Sequence, residues 1–90
     1  MPKTDDKMIN ELFELIASMK NADDCKALFN DMCTVKEIEQ MAQRVRAAKL
    51  FIEGKTYNQV TEETDISSAT LSRISRCVQY GDGYSRFLGK

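Results

Sequence analysis

Ser67, Ser68, Ala69, Thr70 and Ser72 form a run of short side chains, four of them hydroxyls, interrupted by Leu71 and closed by Arg73. A serine or threonine hydroxyl attacks nothing at neutral pH unless a base stands beside it. This chain holds no histidine, which removes the commonest general base and the commonest metal ligand together. What such hydroxyls do well is bond to a phosphate oxygen or to a base edge, on a helix slim enough to lie deep in the major groove of DNA. Ser67 fits as the cap of that helix, whose free first-turn amides favour a phosphate. No other chemistry competes with this reading. Cys25, Cys33 and Cys77 are odd in number and lack CxxC spacing. They read as small buried hydrophobes in a reducing compartment. No carboxylate pair, nucleophile–base pair, phosphate loop or metal cluster stands out, so an enzyme is the least favoured class and neither cofactor nor metal is expected.

The run needs a scaffold, and residues 56–78 carry the pattern of a helix-turn-helix. Thr56 caps a short helix, expected over residues 57–64, with Val60 pointing inward. Asp65 and Ile66 make the turn. Ile66 packs underneath, and Leu71 anchors a second helix expected over residues 68–80. Asp65 stands where glycine is usual and is expected to take a left-handed backbone, which aspartate tolerates better than most residues. Thr61 stands where a small alanine is usual, so a slightly wider helix crossing is expected. The DNA face then comprises Asn58, Gln59, Thr61, Ser67, Ser68, Ala69, Thr70, Ser72, Arg73 and Arg76. Within it Ser68, Ala69, Thr70 and Ser72 address base edges, while Asn58, Gln59, Arg73 and Arg76 hold the backbone or flanking bases. Glu62 and Glu63 repel phosphate and have to point away.

Upstream, the chain is helical throughout. Met8, Ile9, Leu12, Phe13, Leu15, Ile16 and Met19 recur at three- and four-residue spacing after the capping run Thr4-Asp5-Asp6. The stripe is wider than a lone surface helix needs. Asn21 to Asp24 cap a second helix with Cys25, Leu28, Phe29 and Met32. Thr34-Val35-Lys36-Glu37 has the form of a capping box opening a long third helix. Its buried line is expected to be Ile38, Met41, Ala42, Val45, Ala48 and Ile52, widened by Leu50 and Phe51, and Gly54 ends it as a left-handed residue. After Gly81-Asp82-Gly83 only a short turn remains, with Phe87 and Leu88 to dock it. The expected fold is all-α: five main helices plus a short C-terminal turn. It is one domain over residues 1–90, with a helical dimerisation core (1–54), a reading head (56–80) and a tail (82–90). No export signal or membrane-length apolar run is evident, so the expected location is the cytoplasm.

Charge is divided along the chain. Residues 1–43 carry five lysines against nine acids, whereas residues 44–90 carry eight lysines and arginines against five acids. A basic second half suits a polyanion partner. The count allows phosphate contacts on the order of three to five per chain, which is few for one copy and useful for two. A small chain also leaves much apolar surface uncovered. Both arguments favour a homodimer.

Taken together, Leu28 to Thr34 leading into Lys36-Glu37, Gln43-Arg44-Val45-Arg46, Gly54, and Ala69-Thr70-Leu71-Ser72-Arg73 resemble the tryptophan repressor superfamily, in particular its YerC/YecD branch. The resemblance runs from about Leu28 to Val78 and implies an intertwined, symmetric, all-helical homodimer with a core shared by the N-terminal helices. In that family the corepressor sits between the third helix and the reading helix, flanked by two arginines and closed by a threonine-containing segment of the other chain. The matching residues are Arg44, Arg73 and Thr34, and Ile74 and Cys77 complete the candidate effector pocket. Elsewhere the pattern departs. Two leucines of the family are Asp31 and Cys33, and the glycine after the second arginine is Ile74. An isoleucine fills the space a flat indole needs, so tryptophan is disfavoured as corepressor, leaving a different small molecule or none. The final helix is also shortened.

The expected function is a sequence-specific, dimeric transcriptional regulator, a repressor by resemblance, acting on double-stranded DNA. Its operator is palindromic, with half-sites about 34 Å apart. The alternative is a helix-turn-helix protein-interaction module that never reads DNA, a reading that Glu62, Glu63 and Asp65 near the same face keep open.

Overall fold

A computed structural model describes residues 4–89. These form six α-helices and no strand: α1 (Asp6–Ala17), α2 (Ala22–Met32), α3 (Val35–Ile52), α4 (Tyr57–Glu63), α5 (Ser68–Tyr80) and α6 (Gly83–Leu88). The chain divides into two compact units, one up to Val35 and one from Lys36 onward. The third helix therefore packs with the helix-turn-helix residues in one unit. No helix among the described residues is long and apolar enough to cross a membrane.

In the first unit both helices begin at side-chain caps. The Asp5 carboxylate accepts from the Met8 amide at 2.9 Å, and the Asn21 carbonyl oxygen from the Asp24 amide at 2.8 Å. Each satisfies one of the free amides that a first turn leaves without an internal partner. Neither helix has a buried residue. Met8, Ile9, Leu12, Phe13, Leu15 and Met32 are each exposed, from 38% at Leu12 to 61% at Phe13.

The second unit has a true core. Ala47, Ala48 and Leu50 of α3, Val60 of α4, and Leu71 and Ile74 of α5 are buried together. Phe51, Ile66, Val78, Tyr84 and Leu88 pack against them. The expected buried line of α3 is thus partly wrong. Ala47 belongs to it, whereas Ala42 and Val45 are exposed. The reason lies in the sequence of Val45 to Ile52, which is apolar on several sides and does not single out one face. A small residue at 47 lets neighbouring helices come close, and that choice is made by packing.

Gly54 ends α3 as expected, at φ +94°. Its amide donates to the Phe51 carbonyl and the Lys55 amide to the Leu50 carbonyl, both at 3.0 Å. This pair of bonds is the Schellman closure, which takes up the last free carbonyls of the helix. At the other end of the unit, α6 is six residues long, and the Ser85 hydroxyl donates to the Val78 carbonyl at 3.0 Å. The expected docking pair needs correction here. Leu88 packs on the core, but its companion is Tyr84, four residues earlier on the same face, while Phe87 is 78% exposed.

Candidate nucleic-acid interface

α4 opens on a reciprocal capping box. The Thr56 hydroxyl accepts from the Gln59 amide at 3.2 Å, and the Gln59 side-chain oxygen accepts from the Thr56 amide at 2.8 Å. Gln59, expected at the DNA backbone, therefore has one lone pair of its side-chain oxygen tied to the helix start, and its amino group is the donor left for a phosphate. Val60 is fully buried, and Thr64, four residues on, is half-buried with its hydroxyl donating to the Val60 carbonyl at 2.8 Å. These two make the inner face of α4. Thr61 is exposed, its hydroxyl folded back onto the Tyr57 carbonyl at 2.9 Å. It therefore does not sit at the helix crossing, and the widening expected there has no cause. Asn58, Glu62 and Glu63 are exposed.

The turn is built without a left-handed residue, contrary to the expectation for Asp65. Among the described residues only Gly54 has a positive φ. Thr64 and Ser67 are extended, and the Asp65 amide donates to the Gln43 side-chain oxygen of α3 at 3.2 Å. A bond from a third helix fixes the turn, so the backbone needs no glycine-like geometry.

Ser67 caps α5, as its composition implied. The Ser67 hydroxyl oxygen accepts from the Thr70 amide at 3.4 Å and donates its proton to the Thr70 hydroxyl oxygen at 3.2 Å. Leu71 and Ile74 turn into the core. Ser68, Ala69, Ser72, Arg73 and Arg76 are exposed. Thr70 is half-buried and lines a cleft of about 240 Å³ between α3 and the turn, with Gln43, Arg44 and Ile66. The exposed row is therefore Ser68, Ala69, Ser72, Arg73 and Arg76, with Thr70 at its inner edge.

Four of the five candidate effector residues also converge. Arg44, Arg73, Ile74 and Cys77 line one cleft of about 370 Å³, together with Thr70 and Tyr84. Ile74 is 3% exposed. Thr34 lies in the first unit, directly before α3. Neither arginine has an ion-pair partner among the described residues.

Three residues were given no role at the site by the sequence reading. Gln43 holds the turn, Tyr84 lines the effector cleft, and Tyr57 joins the two helices of the motif. The Tyr57 hydroxyl donates to the Ser68 carbonyl at 3.0 Å and lies 3.3 Å from the Ser72 hydroxyl. None has a local signature. The aromatic directly after the Thr56 cap was the one available hint.

The whole chain has clear relatives. The family model of the Trp repressor protein matches residues 7–90. The uncharacterized protein YerC of Bacillus subtilis (strain 168) is 41% identical over 85 residues, which cover 93% of this chain and 82% of YerC. The crystal structure of a Trp repressor candidate from Staphylococcus aureus superposes with a TM-score of 0.84 at 38% identity, covering 91% of this chain and 83% of that one. A TrpR-like protein from Eubacterium eligens ATCC 27750 gives 0.83 at 40%, covering 90% and 84%. The match spans the capped helix pair and the apolar helices before it. The chain belongs to the Trp repressor family, a family of DNA-binding regulators built on a helix-turn-helix.

Proposed function

We propose that this protein is a sequence-specific repressor that binds a palindromic operator as a homodimer, with α5 of each copy in a major groove. The observation that carries the reading is the exposed row on α5. Ser68, Ala69, Ser72, Arg73 and Arg76 face outward from a helix whose other side, Leu71 and Ile74, is locked in the core. A rigid helix with small polar residues outward is what major-groove reading requires. The uncovered apolar surface of α1 supports the second copy, and so does the modest number of basic residues. Two copies related by a two-fold axis read a palindrome with half-sites about 34 Å apart.

Control by tryptophan is not part of this proposal. Ile74 lines the cleft with Arg44 and Arg73 at the position where the family pattern has glycine, so an indole would meet a branched side chain in place of bare backbone. A different small molecule, or none, acts there. Calorimetry with tryptophan is the check: affinity tighter than about millimolar, lost on Arg44→Ala, would overturn this part.

Selection from a random DNA pool, followed by binding in a salt series, tests the main reading. The expected result is an enriched palindrome and a log–log salt slope of about −5 to −9 for the dimer, reduced in Arg73→Ala. Binding insensitive to salt, or no enriched sequence, would replace it with a protein-docking role for the same helix pair. The exposed Glu62, Glu63 and Asp65 would then dominate that surface.

A further inference from the structure

Tyr57 lies outside the expected DNA face, yet its hydroxyl is tied to α5 at two points. It donates to the Ser68 carbonyl at 3.0 Å and lies 3.3 Å from the Ser72 Oγ. A phenol has one proton to give. With that proton on the carbonyl, a bond between the two hydroxyls requires Ser72 to donate and the Tyr57 oxygen to accept. The Ser72 proton then points back toward α4, and its lone pairs are what the exposed side chain offers outward.

The tyrosine is held well enough to impose this. Its ring packs against Phe51 with centroids 6.3 Å apart. Its backbone begins α4 directly after the Thr56 cap, where the Thr56–Gln59 capping box fixes the chain. The Ser68 carbonyl can take the tyrosine proton on a second lone pair while still serving its own helix. A serine hydroxyl that can rotate reads donors and acceptors alike, whereas one whose proton is fixed behind it accepts only.

Resting on the DNA reading proposed above, we infer that Tyr57 is a positioning residue that makes Ser72 an obligate hydrogen-bond acceptor. Ser72 therefore recognises an exocyclic amino group in the major groove, adenine N6 or cytosine N4. Each base pair displays one amino and one keto group there, so the choice decides which strand is read.

The test uses the operator enriched by the full-length wild-type protein. The base pair read by Ser72 is the one whose preference disappears in Ser72→Ala. At that pair the amino group is removed alone (purine for adenine, pyrimidin-2-one for cytosine), and in a separate duplex the keto oxygen is removed alone. Loss of the amino group is expected to weaken wild-type binding about fivefold, the worth of one hydrogen bond. It should cost Ser72→Ala less than about twofold. Tyr57→Phe, whose Ser72 proton is free to turn outward, should bind the operator with that base pair reversed, so that a keto oxygen faces Ser72, within about twofold of the original, where wild type loses about fivefold. Its ring should keep the melting temperature within a few degrees of wild type. Sensitivity to the keto oxygen instead would overturn the inference. So would a Tyr57→Phe protein that discriminates against the reversed pair as strongly as wild type, or the absence of any pair that depends on Ser72. A wild-type protein that enriches no sequence removes the DNA reading and this inference together, whereas every other failure removes the inference alone.

Discussion

Gly54 shows how much a single residue contributes through backbone alone. Its φ of +94° is unfavourable for any residue with a Cβ, and a Cβ placed there would meet no atom within 4 Å. The cost of Gly54→Ala is therefore conformational and not steric. We expect a loss of about 1 kcal/mol, read as a lower urea midpoint at unchanged slope. A loss well below that would mean the Schellman closure re-forms around alanine. Gly54, Asn21, Thr56 and Ser67 were all legible in the sequence, because a cap acts on groups three to five residues away. Gln43 and Tyr57 were not. Their bonds span 22 and 11 residues, and only the folded arrangement of α3, α4 and α5 brings the partners together.

At the scale of helices, periodicity located each element but did not always choose its face. α5 was legible in its cap and in its Leu71 anchor, whereas Thr70, read as addressing base edges, is half-buried, and Ile74, read only as a pocket residue, belongs to the core. The buried face of α3 was not legible, because alanines and aliphatic residues surround its second half. α4 is too short for a period to form, which is why Thr61 was placed inward when the inward pair is Val60 and Thr64. The observed faces make a paired prediction. Leu71→Ala should cost about 2–5 kcal/mol, since a fully buried side chain leaves a cavity. Ala47→Leu should cost about 1–3 kcal/mol by overpacking the same core. Chemical denaturation followed by far-UV circular dichroism measures both. A neutral Ala47→Leu would show that this side of α3 is not where the core is made.

At the scale of the molecule, the two halves of the sequence pose different problems. Residues 44–90 carry the basic excess and a closed core, and residues 1–43 carry the acidic excess and an apolar surface without a cover. An amphipathic helix as apolar as α1 is not stable facing water along its stripe; burying that stripe stabilises it by about 25 cal/mol per Å². The proposed dimer supplies the cover. In a two-fold interface each substitution acts twice, so a charge placed in the stripe is doubly unfavourable. Phe13 is the most exposed large apolar residue of α1. Phe13→Glu should therefore convert a dimer into monomers at micromolar concentration in sedimentation, while the second unit, which has its own core, keeps its helices. Operator affinity should then fall by a hundredfold or more, roughly, because two linked heads become two separate ones. Retention of the dimer by Phe13→Glu would place the interface elsewhere, and a wild-type chain that sediments as a monomer at tens of micromolar, roughly the range where a weak dimer still forms, would remove the dimer from the proposal.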